Sequence, residues 1–389
     1  MKYDFDELVE RRGTGCVKWD ESKYPDVIPL WVADMDFKAA PAILEAVRKR
    51  AEHGVFGYTV VEDDYYVAVI NWFRRRHQWT IRREEILYTT GVVPAMSVAI
   101  KALTMPGEKV LILSPDYNCF FSSVRNNGCE VLESPLRRVG DTFEVDWDDF
   151  IAKCADEKTT VFLLCNPHNP CGRVWTKAEL SRMNDICMKY GVKVVSDEIH
   201  CELIMPGYQF QPFAAVSEAC RQNSVILNSP SKSFNIAGLQ VANIICSQPE
   251  WRRRLDRAIN INEVCDVNPF APVALKAAYN DSEDWIDELN QYLWANYMFL
   301  CDFIDKNIPQ WKVCRLEGTY LPWVDISAMG VSAERLCVRL LDEARVWINP
   351  GTMYGAETGK GYVRINIACP RSRLKEALER IAKVIRTSF

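Results

Sequence analysis

Residues 225–246 read VILNSPSKSFNIAGLQVANIIC. Two apolar runs, each about the length of a buried strand, enclose a polar turn that sets Lys232 among serines. A lysine in that place has three readings: a solvated amine, a Ser-x-x-Lys pair with Ser229 as nucleophile, or an amine that forms a Schiff base. Working outward, similar runs recur as ILYTT (86–90), KVLILSP (109–115), CEVLESPL (129–136), TTVFLLCNP (159–167) and VKVVSDE (192–198). Most are separated by segments with helical spacing. In TKAELSRMNDICMKYG (176–191), Thr176 and Glu179 form a capping box and Gly191 stops the helix. Apolar strands alternating with helices predict an α/β fold, a mostly parallel sheet with helices on both faces. In such sheets ligands bind beyond the carboxyl ends of the strands.

The rest of the chain narrows the class. Its 389 residues suggest more than one domain, and no Pro/Gly/Ser-rich linker divides them, so the domains are expected to pack intimately. At the carboxyl end, GYVRINIAC reads as a strand, and Leu374, Leu378, Ile381 and Ile385 recur at helical spacing. With the amino-terminal segment they are expected to form a smaller α+β domain, residues 1–45 and 286–389, beside a large domain of residues 46–285. The net charge of -5 gives no electrostatic case for nucleic acid, and RRR at 74–76 and 252–254 reads as solvated helix faces. No apolar signal region or membrane-length run is present, and fifteen scattered cysteines fit reduced thiols, so a cytoplasmic location is expected. Cys165, His168 and Cys171 have C-x-x-H-x-x-C spacing, but no second knuckle supplies a fourth ligand, and no metal is expected.

Chemistry is sought at the strand ends. ILYTT runs into GVVPAMSVAIKAL, where Gly91 is read as a tight turn and Pro94 suits a first helical turn, whose N–H groups face an anion. Three other strands deliver Asn169, Asp197 and Lys232. Pyridoxal phosphate needs a lysine for its aldehyde, a carboxylate for its ring nitrogen, a donor to its phenolic oxygen and a cradle for its phosphate. The set matches that use better than any member does alone.

SDEIH (196–200), NPHNPCGRVW (166–175) and SPSKSFNIAGLQ (229–240) resemble motifs of the pyridoxal-phosphate enzymes of fold type I, the aspartate aminotransferase fold. With PLWVADMDF (29–37), GTYLPWVD (318–325) and NPGTMYG (349–355), the resemblance narrows to the branch of cystalysin and the MalY/PatB-type cystathionine beta-lyases. It implies pyridoxal 5'-phosphate held as a Schiff base on Lys232, which also serves as the base. It further implies Asp197 on the ring nitrogen, Asn169 on the phenolic oxygen, Tyr117 stacked on the ring, and Gly91, Val92, Val93, Ser229 and Ser231 around the phosphate. Tyr58 matches a tyrosine that reaches the neighbouring subunit's phosphate, implying a homodimer, and Arg364 matches the arginine that takes the substrate carboxylate.

Two departures from transaminases bear on the reaction. His200 stands where they carry a tyrosine, as in the DEIH form of the lyase branch, so it joins the cofactor-binding set; Gln240 replaces a phosphate-binding arginine. The expected activity is carbon–sulfur beta-elimination of L-cystathionine or related cysteine conjugates to thiol, pyruvate and ammonia, with aminotransfer as the alternative. The Ser-x-x-Lys hydrolase reading lacks its companion Ser-Asp-Asn and Lys-Thr-Gly motifs.

Overall fold

In the computed structural model, which describes residues 2–261 and 265–388, the apolar runs pair into one seven-stranded sheet. Its strands are β1 (Ile86–Thr89), β2 (Lys109–Ser114), β3 (Glu130–Pro135), β4 (Thr159–Cys165), β5 (Lys193–Asp197), β6 (Ser224–Asn228) and β7 (Ala242–Ile245). Their spatial order is β1-β7-β6-β5-β4-β2-β3. β6, β5, β4, β2 and β3 run parallel, whereas β7 is antiparallel to both its neighbours. The exception has a local cause: a parallel return needs a crossover of a dozen or more residues, usually a helix, and the chain between β6 and β7 is spent on a loop. That loop carries Lys232.

The longer helices are α1 (Pro41–Glu52), α2 (Asp63–His77), α3 (Val92–Leu103), α4 (Asn118–Asn126), α5 (Trp147–Cys154), α6 (Lys177–Lys189), α7 (Pro249–Ile261), α8 (Phe270–Asp281), α9 (Glu283–Asn307) and α10 (Arg371–Ser388). Strand residues alternate between two cores, as a period of two requires. Val110, Ile112, Val161, Leu163, Val195 and Val225 pack with α3, α4 and α7. On the opposite face, Leu111, Leu113, Phe162, Leu164, Val194 and Ile226 join α2, α5 and α6. The capping box of α6 is present, with the Thr176 hydroxyl accepting from Glu179 N–H, and Gly191 past its end has φ +71°.

A second, antiparallel sheet has the order β8 (Lys312–Val313), β9 (Trp323–Asp325), β11 (Tyr362–Arg364), β10 (Asn349–Pro350). Leu374, Leu378, Ile381 and Ile385 of α10 are buried in the same core that covers one face of the large sheet. That continuity accounts for the missing linker. The divisions expected at 45/46 and 285/286 fall inside α1 and α9. The chain ends also meet: Ile28–Pro29 pairs in parallel with Val346–Trp347, and the Trp31 and Trp347 rings stack at 4.3 Å.

One surface expectation needs correction. The arginines at 74–76 do more than face solvent, because Arg75 pairs with Glu283, and Arg76 with Glu283, Asp287 and the buried Glu202. Acidic residues on α9 and after β5 draw this end of α2 inward.

Candidate active site

The carboxyl ends of β4 and β5 and the loop after β6 open onto a cavity of about 190 Å³. Ala33, Gly91, Val92, Val93, Tyr117, Asn169, Asp197, His200 and Lys232 line it. Eight of these nine are residues that the sequence singled out. A wider groove between α1 and α8 has no such convergence of groups, so size does not locate the chemistry.

Lys232 sits on the loop that returns the chain antiparallel, and the residues after it hold the loop down. Phe234 is buried against Trp72, Tyr279 and Trp285. Asn235 takes φ +55°, a left-handed conformation that asparagine tolerates. Its amide donates to Met35 O (3.0 Å) and Phe37 O (2.8 Å) and accepts from Met35 N (3.0 Å). This stitches the loop to an amino-terminal strap whose Ala33 carbonyl accepts from Lys232 Nζ at 2.6 Å. Burial depresses the pKa of the Lys232 ammonium and the Arg364 charge adds to that, while Asp34 and Asp197 oppose it. The solvated reading fails on this placement. The Ser-x-x-Lys reading fails as well, because Ser229 Oγ donates to Val241 O (2.5 Å) and accepts from Ser231 N (3.0 Å).

Asp197 ends β5, and its Oδ1 accepts from Ile199 N–H at 3.0 Å. Burial pushes its carboxyl up to about 7 against that hydrogen bond and the Lys232 charge. A cation placed on it would restore the carboxylate. His200 is buried, its Nδ1 has no partner, and burial holds its pKa down at about 3, so the ring is neutral. Asn169 Oδ1 accepts from Arg364 Nη1 (3.1 Å), which leaves the amide NH₂ as its donor toward the cavity.

Arg364 belongs to β11 and reaches from the second sheet to the first. Besides Asn169 it holds Trp31 O (2.8 Å), it lies over the Tyr354 ring at 4.5 Å, and its buried Nε has no partner. It does not line the 190 Å³ cavity. Gly91 caps α3 with φ 173°, extended backbone rather than the tight turn expected. What favours glycine is space, since a Cβ there would stand 3.3 Å from Pro94 Cδ. Val92 and Val93 open α3, whose first-turn N–H groups have no partner within the helix. Ser229 and Ser231 lie outside the cavity lining, and Ser229 has its hydroxyl proton committed to Val241. Tyr58 is 97% exposed, away from the cavity of its own chain.

Sequence reasoning missed the role of the strap. Residues 31–37 are gripped by Arg11, which bonds Asp34, Met35 O and Asp36, and by Asn366, which bonds Val32 O and Asp34 O. The group it offers Lys232 is a backbone carbonyl, which residue type does not announce.

Residues 25–381 match the family described as aminotransferase class I and II. The chain belongs to that family. Within it the branch is that of the MalY/PatB-type enzymes of pyridoxal-phosphate fold type I. Cystathionine beta-lyase PatB of Bacillus subtilis is 39% identical over 97% of this chain and 98% of its own. A pyridoxal-phosphate-bound structure from Clostridium difficile, described as a putative aminotransferase, is 41% identical, with TM-score 0.95 over 98% of this chain and 100% of its own. Cystalysin from Treponema denticola, whose structure contains pyridoxal 5'-phosphate, is 34% identical, with TM-score 0.96 over the whole of both chains.

The family's cofactor is pyridoxal 5'-phosphate, and the site fits it. A carboxyl raised by burial awaits a cationic partner, a buried imidazole nitrogen is unbonded, and unpaired N–H groups of α3 face the cavity end where a phosphate is required. These are the needs of the ring nitrogen, the ring substituents and the phosphate.

Proposed function

We propose that this protein is a carbon–sulfur beta-lyase that cleaves L-cystathionine or related cysteine S-conjugates to a thiol, pyruvate and ammonia. The supporting observation is Lys232, Asp197, Asn169 and His200 gathered in one cavity, in a chain 39% identical over 97% of its length to a cystathionine beta-lyase.

When bound, pyridoxal phosphate supplies an electron sink for the charge left at the substrate's alpha carbon. The chain does the rest. Lys232 would hold the cofactor through its amine and would move the alpha proton, and its lowered pKa keeps a larger share of the amine neutral. Asp197 keeps the ring nitrogen protonated, because a buried carboxylate is stable only beside a cation. Asn169 and the neutral His200 would serve the ring oxygen, Tyr117 would stack on the ring, and Gly91, Val92 and Val93, with Ser229 and Ser231, would hold the phosphate. Arg364, whose buried Nε has no partner, would take the substrate carboxylate.

The reading extends to a homodimer, in which Tyr58 of one chain meets the phosphate site of the other. Val55, Phe56, Tyr58 and Val60 form an exposed, largely apolar stretch suited to burial against a second copy. It also extends to the cytoplasm: all fifteen cysteines are free thiols, and no helix among the described residues is long and apolar enough to cross a membrane. Aminotransfer is the competing reading, favoured by the 41% identical relative described as a putative aminotransferase. The deciding assay incubates pure protein with L-cystathionine and measures pyruvate and thiol with and without an added keto acid. Products without the keto acid are expected, and strict dependence on it would overturn the lyase reading.

A further inference from the structure

Two buried or half-buried clusters among the described residues combine side chains able to ligate a metal. In the first, His77, Cys201 and Glu202, the carboxylate is already spent. Its Oε1 takes His77 Nε2 and Trp72 Nε1, both at 2.7 Å, and Arg76 stands 3.5 Å from Oε2. A guanidinium there repels a metal cation, and this cluster is an ion pair.

The second differs in each respect. Asp116, on the turn between β2 and α4, meets Cys165 at the end of β4 and His168 in the loop that follows. All three are buried, and one donor atom from each lies within 4.8 Å of the others. His168 Nε2–H donates to Pro115 O at 2.8 Å, which fixes the tautomer and leaves Nδ1 as a lone pair with no partner. Asp116 Oδ2 is likewise buried without a partner, Oδ1 being taken by Tyr117 N–H at 2.7 Å. Cys165 Sγ accepts from Asn169 N–H at 3.4 Å while its thiol donates to Pro167 O at 3.3 Å, and burial beside Asp116 and Asp197 pushes its pKa up, so the resting group is a thiol that a bound metal deprotonates. Two orphaned acceptors and a sulfur thus lie within 4.8 Å of one another, and none is hydrogen-bonded to a cationic side chain among the described residues.

We propose that Asp116, Cys165 and His168 bind a zinc ion whose fourth ligand is a water. Carboxylate, thiolate and neutral imidazole against Zn²⁺ sum to zero charge, which suits a buried site, and the thiol proton released on binding passes to solvent. A ligating histidine whose other nitrogen is backed by a carbonyl is the usual arrangement around zinc. The spacing C-x-x-H-x-x-C led to the expectation of no metal; the group that joins Cys165 and His168 is Asp116, distant in sequence, rather than Cys171. Cys165 also borders the cofactor cavity, so the ion lies beneath its floor and fixes the loop that presents Asn169. The proposal does not depend on which reaction the enzyme catalyses.

The test uses the holoenzyme dialysed against zinc chloride and then against zinc-free buffer, with bound zinc counted by mass spectrometry. About one zinc per chain is expected, with X-ray absorption showing a single sulfur ligand at about 2.3 Å. Retention should fall at least ~10-fold in Asp116→Asn and in Cys165→Ser, and stay unchanged in the control Cys201→Ser. If Asp116→Asn does not fold, Cys165→Ser alone carries the comparison. Wild-type protein that retains no zinc, equal retention in the ligand variants, or an absorption spectrum without sulfur would overturn the proposal.

Discussion

Burial takes the carboxyl of Asp197 up to about 7, because at the end of β5 the anion has one backbone hydrogen bond and the distant charge of Lys232 to offset its lost hydration. The unfolded chain ionises the same group near its ordinary value of about 3.9. Between those pH values the cofactor-free native state holds a proton that the unfolded state has released, so its stability falls as pH rises through this window. The melting temperature of cofactor-free protein should therefore drop between about pH 4 and pH 7 relative to Asp197→Asn, whose side chain does not titrate. Parallel curves would show that the carboxyl is not raised. With cofactor bound, Asp197→Asn should lose about 10²-fold or more in turnover with little change in the fold. Lys232→Ala should lose pyruvate formation altogether, and full retained activity would sink the assignment. These residues were legible because each stands just past an apolar run and is a type that rarely stays buried without a purpose. The carbonyl of Ala33 and the committed hydroxyl of Ser229 were not, since backbone partners leave no mark in residue type.

Among elements, the loop after β6 is held by packing on one side and polar stitching on the other. Phe234→Ala removes a ring packed among Trp72, Tyr279 and Trp285 and should cost about 3–5 kcal/mol by denaturant unfolding. Asn235→Ala loses three hydrogen bonds to the strap and puts a β-carbon residue at φ +55°. It should weaken cofactor retention more than it shifts the melting temperature, which equal effects would contradict. In α6, Thr176→Ala should cost about 1 kcal/mol through the lost cap and leave turnover unchanged. Strands and caps were readable from periodicity and residue type, whereas the reversal of β7 was not. Direction depends on what fills the connection, and the polar stretch from Ser229 to Gln240 has neither a two-residue hairpin turn nor a helix to announce it.

Across the whole molecule, one core runs from the large sheet through α9 to α10, so the two sheets should unfold in a single transition; two resolved transitions in calorimetry would contradict this. The exposed stretch around Tyr58 predicts a solution mass near twice 44.7 kDa by light scattering. Tyr58→Ala should raise the dissociation constant for pyridoxal phosphate while the dimer persists. A monomer with full cofactor affinity would refute the shared site.

The bond from Arg364 to the Trp31 carbonyl joins the first and last tenths of the chain. On the ribosome this sets an order of completion. Gly91, Asn169, Asp197 and Lys232 are all made long before Arg364, so a nascent chain carries the residues proposed to hold the cofactor before it carries the arginine proposed to select an amino acid.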